Sequence, residues 1–231
     1  YPLPAIIGEI FHRLGFGFVD SVKAVLLTSM IVSVVGMYLF LKELLGLRLA
    51  AFLGAIFYLY APLRFLTVYV SASVGSALAL VFIPFIFWSI TKLAKKSHPW
   101  GVIIGAASLA ALITSHNVTA LIFAPVFLIF SVVCSRLRSN NNLKIYYSRL
   151  ALMFILGLGI SAWFWLPAVW ERKFTRFDLI FSSFYKDQFL TFWQLLRSPW
   201  GYGLSHPQNP EPGDMSYQLG LIHIGVVLVL I

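Results

Sequence analysis

The chain has 231 residues, 60% of them apolar and only 11% charged, with a mean hydropathy of +0.87. A soluble domain carries about 25% charged residues, so composition excludes that class and reads as an all-α polytopic membrane protein. The formal charge of +9 does not mark a nucleic-acid partner, because the basic residues gather in short segments between apolar runs. One cysteine, Cys134, lies among apolar residues and says nothing about redox compartment.

Tyr1 to Phe18 opens as YPLP and continues as a short amphipathic helix of about three turns with Glu9, His12 and Arg13. Gly15-Phe16-Gly17 stops it, and residues 1–22 read as an interfacial helix and loop on the outer face. Residues 23–170 read as the transmembrane bundle. Its first span is Val22 to Leu41, followed by the turn KELLGLR and a second span from Leu49 to Pro62. FLTVYVSASVGS, residues 65–76, is polar enough for a loop or an unwound helix end. Val74 to Ile90 is the third span, kinked at Pro84. Lys92, Lys95 and Lys96 precede Gly101 to Ser115, a short segment that borrows from residues 97–100 or dips in and turns back. His116-Asn117 separates it from Val118 to Cys134. A loop from Ser135 to Arg149 leads to the span Leu150 to Glu171, which closes on Trp163-Phe164-Trp165 and Pro167. A run of about 20 apolar residues crosses the hydrocarbon core, and Trp marks its exit. Residues 171–216 read as a long extracytoplasmic loop, and residues 217–231 as the start of a truncated seventh span. Tyr1 in place of an initiator Met, and the apolar ending GVVLVLI, mark a fragment of a larger multi-pass chain.

Sidedness follows from charge. The segments 42–48, 92–100 and 135–149 carry nine Lys or Arg against one acid, whereas the long loop carries five bases and five acids. With six complete spans the three basic segments share one side, which is cytoplasmic. The N-terminal stretch, Phe65 to Ser73 and the long loop then share the outer face.

Several residues can carry chemistry. His116 and Asn117 are polar groups near membrane depth, or caps of the following helix with Asn117 as N-cap. Glu171 can position a base, a sugar hydroxyl or a metal, or pair with Arg172 or Lys173. Arg172, Lys173 and Arg176, with Arg64 on the same face, can grip a phosphate or diphosphate, or snorkel to headgroups. In the glycine-rich SPWGYG segment, Trp200 and Tyr202 offer flat faces that stack on sugar rings or lie along the interface. Asp214 and His206 are the acid and imidazole near them. Further metal ligands are not legible beside this pair, so no metal or other cofactor is assigned. The glycines of GLGIS at 157–161 read as close helix packing.

YPLP, GMYLF at 36–40, SHNVTAL at 115–121, FWLPAVWE at 164–171, SPWGYG at 198–203 and DMSYQLGLIH at 214–223 resemble bacterial membrane proteins of the "6-pyruvoyl-tetrahydropterin synthase-related" family. These are similar in hydropathy and layout to GT-C glycosyltransferases. The resemblance covers nearly the whole chain. It implies sugar transfer from a polyprenyl-phosphate donor at the outer face of the bacterial cytoplasmic membrane, with a catalytic acid upstream of Tyr1. Family members carry Tyr-x-Arg-Gly followed by Glu where this chain reads Tyr69-Val70-Ser71-Ala72 to Ser76, so the Arg and the acid are missing here.

The expected partners are membrane lipid and a polyprenyl-phosphate sugar. The alternative is a non-catalytic lipid-linked-glycan transporter or an assembly scaffold. A transporter would gather polar residues at the midplane, and here they gather toward one face.

Overall fold

The computed structural model describes residues 1–96, 98–137, 142–176 and 185–230. Arg138 and Asp178, counted above among the loop charges, lie outside the described residues. In chain order the helices are α1 (Pro2–Arg13), α2 (Phe18–Leu45), α3 (Arg48–Leu59), α4 (Pro62–Phe65), α5 (Val74–Lys96), α6 (Pro99–Ser115), α7 (Asn117–Cys134), α8 (Leu143–Ile160), α9 (Ala162–Trp170), α10 (Phe192–Leu196) and α11 (Leu221–Leu230). No strand occurs among the described residues. The chain divides into two units, residues 1–59 with 74–166, and residues 60–73 with 167–231.

Four helical segments are long and apolar enough to cross a membrane: Phe18–Leu45, Val74–Lys95, Asn117–Leu137 and Leu143–Ile160. Arg48–Leu59 and Pro62–Val70 add a fifth if they form one broken span. The faces of α2 fit a hydrocarbon surround. It buries Val25, Ser29, Ser33, Gly36 and Phe40 and exposes Leu27, Ile31 and Val35. Small and polar residues inward with branched apolar residues outward is the pattern that lipid solvates.

The first unit is built around α5. Of its apolar window 56% is buried, against 22–28% for the other three segments, which makes it the central helix. Ile83, Ile86, Ile90 and Leu93 of α5 pack with Leu109 and Leu112 of α6 and with Leu150 and Met153 of α8. Gly105 lets α6 approach closely, because a Cβ there would strike the Met153 side chain and lie 2.9 Å from that of Ser89. Gly157 of GLGIS is equally tight: its Cβ would lie 2.8 Å from Leu109 and 3.0 Å from the Ala106 carbonyl. Gly159 meets nothing within 4 Å, so only the first glycine of that motif packs.

Several hydroxyl groups inside the bundle are satisfied locally. Ser29, Thr91, Thr114, Ser131 and Ser161 each donate to a carbonyl three or four residues back at 2.7–2.9 Å. The end of α2 is closed by the lysines of α5. Lys95 Nζ donates to the Leu44 carbonyl at 3.0 Å and also to that of Glu43, while Lys92 pairs with the Glu43 carboxylate at 2.9 Å. A cation at a helix C-terminus satisfies orphan carbonyls and complements the dipole. The first two basic segments therefore meet at one end of this unit.

Three expected boundaries move. The loop expected over 135–149 gives way to helix at Leu143, because the Asn142 side chain caps α8 by accepting the Ile145 N–H at 3.2 Å. Tyr146 is then buried and donates to the Ser131 carbonyl at 2.8 Å. The single span expected from Leu150 breaks at Ser161, where the Trp165 indole takes the Leu158 carbonyl at 3.0 Å. The last helix starts at Leu221 rather than near Gln218, after Gly220 at a φ of 96°. The short segment does borrow from residues 97–100, since α6 begins at Pro99 with His98 as its cap.

In the second unit, α4 runs into one wide turn at Leu66–Val70, in which the Ser71 N–H reaches back to the Leu66 carbonyl. The described part of the expected 171–216 loop is not featureless. It holds 3-10 turns at Glu171–Phe174 and Tyr185–Gln188 and the short α10. A capping box starts α10, with the Thr191 hydroxyl accepting the Gln194 N–H and the Gln194 carbonyl oxygen accepting the Thr191 N–H at 2.7 Å. Gln194 Nε2 then donates to the Pro207 carbonyl at 2.8 Å.

Candidate functional site: an aromatic groove

The wide turn at Leu66–Val70 carries an aromatic stack. Phe65 and Tyr69 lie nearly parallel at 11°, with ring centroids 6.1 Å apart, and Tyr60 sits 5.8 Å from Phe65. Single wide turns of this kind recur at functional sites. Tyr60, Phe65 and Tyr69 line one wall of an open groove of about 470 Å³, and Trp200, Tyr202 and Gln218 line the other. Small-ligand sites typically span about 300–1,000 Å³ and mix apolar walls with a few placed polar groups. Here the polar groups are the tyrosine hydroxyls and the Gln218 amide.

The wall bearing Trp200 and Tyr202 is fastened from behind. The Gly203 N–H donates to the Gly213 carbonyl at 2.7 Å, and the Met215 N–H to the Leu204 carbonyl at 3.3 Å. The Ser216 hydroxyl donates to the Ser198 carbonyl at 3.0 Å, and the Ser205 and Tyr217 hydroxyls bond at 3.1 Å. Gly201 sits against the backbone of Gly213 and Asp214 so closely that any Cβ would overlap it. Residues 198–205 and 213–218 are thus two arms of one tied loop. Across them His206 Nδ1 meets Asp214 Oδ2 at 3.2 Å.

The cationic residues after α9 form a separate surface. Arg172 and Lys173 line a second groove with Val169, Trp170 and Thr175, of about 520 Å³. Lys173 lies over the Trp170 and Phe174 rings, 5.8 and 5.1 Å from their centroids. Glu171 is exposed at the start of the same 3-10 turn. Arg64, expected to share a phosphate grip with these cations, is 3% exposed and does not line either groove.

His116 and Asn117 belong to the first unit. His116, rather than Asn117, caps α7: its Nδ1 accepts the Thr119 N–H at 3.2 Å. Asn117 is instead the first helical residue, and its Oδ1 accepts the Tyr1 hydroxyl at 3.1 Å. The Tyr1 ring covers the His116 ring at 4.7 Å, and burial holds the imidazole below its usual pKa. Both residues are engaged in closing the α6–α7 turn.

Of the residues named from the sequence, the fold brings Tyr69, Trp200 and Tyr202 into one groove and pairs His206 with Asp214. Tyr60, Phe65 and Gln218 were not foreseen as lining residues. The aromatic spacing 60, 65, 69, running from the end of the second span into a segment read as loop, was the available signal. No group of three or more His, Cys, Asp or Glu side chains that could hold a metal occurs among the described residues. Compared with family models, curated proteins and solved structures, the chain matches none.

Proposed function

We propose that this chain belongs to a multi-pass bacterial membrane protein that binds the sugar of a polyprenyl-phosphate donor and transfers it at the outer face, in the manner of GT-C glycosyltransferases. The observation that carries the reading is the convergence of Tyr60, Phe65, Tyr69, Trp200 and Tyr202 with one amide, Gln218, around a single groove. A sugar ring presents a face of C–H bonds, which is apolar, and a rim of hydroxyls. Aromatic faces take the first, and amide and phenol groups take the second. Interfacial aromatics that merely anchor a protein at the headgroups have no need to surround a cavity. Arg172 and Lys173, on the second groove of the same unit, are the cations this reading assigns to the donor phosphate.

In this reading six crossings are counted by adding Arg48–Val70 and the short α6 to the four long apolar segments. The basic ends then face the cytoplasm and residues 171–216 face away from it. Membrane-impermeant thiol reagents label Asn209→Cys in intact cells and Arg136→Cys only after lysis if this sidedness holds.

The deciding experiment is binding of decaprenyl-monophosphoryl hexoses to the purified full-length protein in micelles, read by ligand stabilisation. Trp200→Ala and Tyr69→Ala weaken binding by about 2- to 10-fold each, the worth of a good aromatic contact. Arg172→Ala weakens it by roughly 10-fold or more through the lost phosphate bond. A wild-type protein that binds none of these donors, beside a positive control, rules the reading out.

A further inference from the structure

We propose that the pocket between α1 and the start of α2 binds the headgroup of a zwitterionic phospholipid that carries a primary ammonium, the chemistry of phosphatidylethanolamine. The cavity measures about 450 Å³, and every residue that lines it belongs to the first unit. The inference therefore does not rest on the saccharide-transfer reading. The face that α1 turns to the pocket repeats at helical spacing, with Ala5, Gly8, Glu9 and His12. Ser21, Val22 and Val25 of α2 line the opposite side. With 28 residues α2 is about 42 Å long, which matches a bilayer of about 40–45 Å including its headgroup regions. The first turn of α2, and the pocket with it, then sits at headgroup level.

Three polar groups of the lining call for hydrogen-bond donors. Glu9 gives one oxygen to Arg13 Nε at 2.8 Å, and its second oxygen has no partner among the described residues. The Arg13 bond holds the carboxyl below its usual pKa, so it stays an anion. His12 Nδ1 lies 2.9 Å from the Phe16 carbonyl, which can only accept. The ring proton is therefore on Nδ1, and Nε2 of the neutral ring is an acceptor. Phe18 stacks on that ring at 4.2 Å and fixes its plane. Ser21 is 4% exposed, and its Oγ has no partner among the described residues. Ser29 and Ser33, further along the same buried stripe of α2, each donate to a carbonyl of their own helix. Ser21 does not. Buried hydroxyls are normally bonded, and this one lines the pocket instead.

These groups select a cation with N–H donors. A primary ammonium brings three donors and no acceptor, to meet a carboxylate oxygen, an imidazole nitrogen and a hydroxyl. The lining carries one acid and no Lys or Arg. Arg13 stands one turn from Glu9, exposed, and uses only its Nε on that carboxylate. Its remaining N–H groups suit the headgroup phosphate, which lies two carbons from the ammonium. A cation inward and an anion outward complement Glu9 and Arg13 in turn. Val22, Val25 and Val74 extend the wall as apolar surface for the start of an acyl chain. Gly8 keeps the space open. A Cβ there would meet only Val25, at 4.0 Å, so the packing of α1 on α2 does not demand glycine, whereas a large side chain at 8 would fill the pocket. An exposed ion pair on a helix contributes little by itself and needs no cavity beside it.

The test uses the delipidated full-length protein in micelles. Dioleoyl phosphatidylethanolamine, its N-methyl and N,N-dimethyl derivatives, phosphatidylcholine and phosphatidylglycerol are added singly at equal concentration. Bound lipid is counted by native mass spectrometry, with the melting temperature read alongside. The wild type binds the ethanolamine lipid about 10-fold or more tightly than the choline lipid, which has no N–H to donate. Affinity falls stepwise with each methyl group, and the glycerol lipid, without a cation, binds no better than the choline lipid. Glu9→Gln removes most of the preference, Ser21→Ala weakens ethanolamine-lipid binding by about 2- to 10-fold, and Gly8→Leu abolishes it. The methylation series needs no variant, so it decides even where Gly8→Leu fails to fold. Equal binding of the ethanolamine, choline and glycerol lipids by the wild type overturns the proposal, and so does a preference for the glycerol lipid. An ethanolamine preference that survives in both Glu9→Gln and Ser21→Ala puts the lipid elsewhere and overturns it as well. Hexose-donor binding at the aromatic groove is a separate measurement that none of these outcomes decides.

Discussion

Tyr58 donates its phenolic proton to the backbone carbonyl of Leu80 at 2.6 Å, linking α3 to the middle of α5. The reason lies four residues further along α5, where Pro84 has no N–H to give that carbonyl. In a dry bundle an orphaned carbonyl is costly, and Tyr58 supplies the missing donor. The kink read from Pro84 and the Tyr58 hydroxyl are therefore two halves of one device.

Tyr58→Phe leaves the Leu80 carbonyl bare and is expected to destabilise the first unit by about 1–3 kcal/mol. In a Pro84→Ala background residue 84 regains its N–H, and the cost of Tyr58→Phe should fall to a small fraction of that. Unfolding in mixed micelles, run as a double-mutant cycle, measures the coupling. An identical cost in both backgrounds would break the link between the two residues.

Ala72 has a φ of 46°, in the left-handed region that side chains disfavour. It follows the wide turn that presents Tyr69. Holding a non-glycine residue there costs about 1–2 kcal/mol, while glycine adds about 0.4–1 kcal/mol of unfolded-chain entropy. The first term is the larger, so Ala72→Gly should stabilise the protein by up to about 1.5 kcal/mol, and Ala72→Val should lower stability. Thermal melts of the two variants against wild type decide it, and a loss of stability in Ala72→Gly contradicts the strain.

The membrane character was legible because it is a property of composition and run length, and each of the four long apolar segments overlaps a run read from the sequence while extending past it. Boundaries slipped where side chains decide them. Asn142 converts part of a basic loop into helix by capping it, and the indole of Trp165 ends one helix at Ser161 by taking a carbonyl. Neither choice follows from hydropathy. Trp200 and Tyr202 were legible as an aromatic pair in a glycine-rich segment, but a groove needs a second wall. Tyr60 and Phe65 come from a stretch more than 130 residues away in sequence, and no local pattern pairs such segments. Arg64 misled because charge alone placed it at the surface, whereas the fold buries it.

His116 gives the α6–α7 turn a pH dependence whose sign is fixed. Burial lowers its pKa in the folded state, so the unfolded chain binds the proton more readily. Stability is then fully present above the unfolded value of about 6.5 and is lost as pH falls from there toward the lower folded value. Protonation also removes the Nδ1 lone pair that accepts the Thr119 N–H. Asparagine is a good cap without a titrating group, so His116→Asn should keep the helix and flatten this part of the profile. Melting temperatures of wild type and variant between pH 5 and 8 check it, and parallel curves would assign the pH dependence elsewhere.

Gly201 is the residue on which the second wall of the groove depends. Its flanking residues, Trp200 and Tyr202, present their rings only because residue 201 lies against the Gly213 carbonyl with no room for a Cβ. The obstacle is backbone on both sides, so no rotamer change relieves it, and overpacking of this kind costs about 1–3 kcal/mol. Gly201→Ala should therefore separate the two arms and loosen the Gly203–Gly213 bond. It should not affect the packing around α5, which shares no residue with the tied loop. Limited proteolysis between residues 197 and 216 should accelerate several-fold while the protection of α5 from hydrogen exchange is unchanged, and hexose-donor binding should fall with the loop. Gly203→Ala is the graded comparison. Its Cβ would lie 2.9 Å from the Gly213 oxygen and 3.1 Å from an Asp214 carboxylate oxygen that belongs to a side chain. A milder opening is expected there, and equal protease sensitivity of both variants and wild type would mean the loop is held by something other than this close approach.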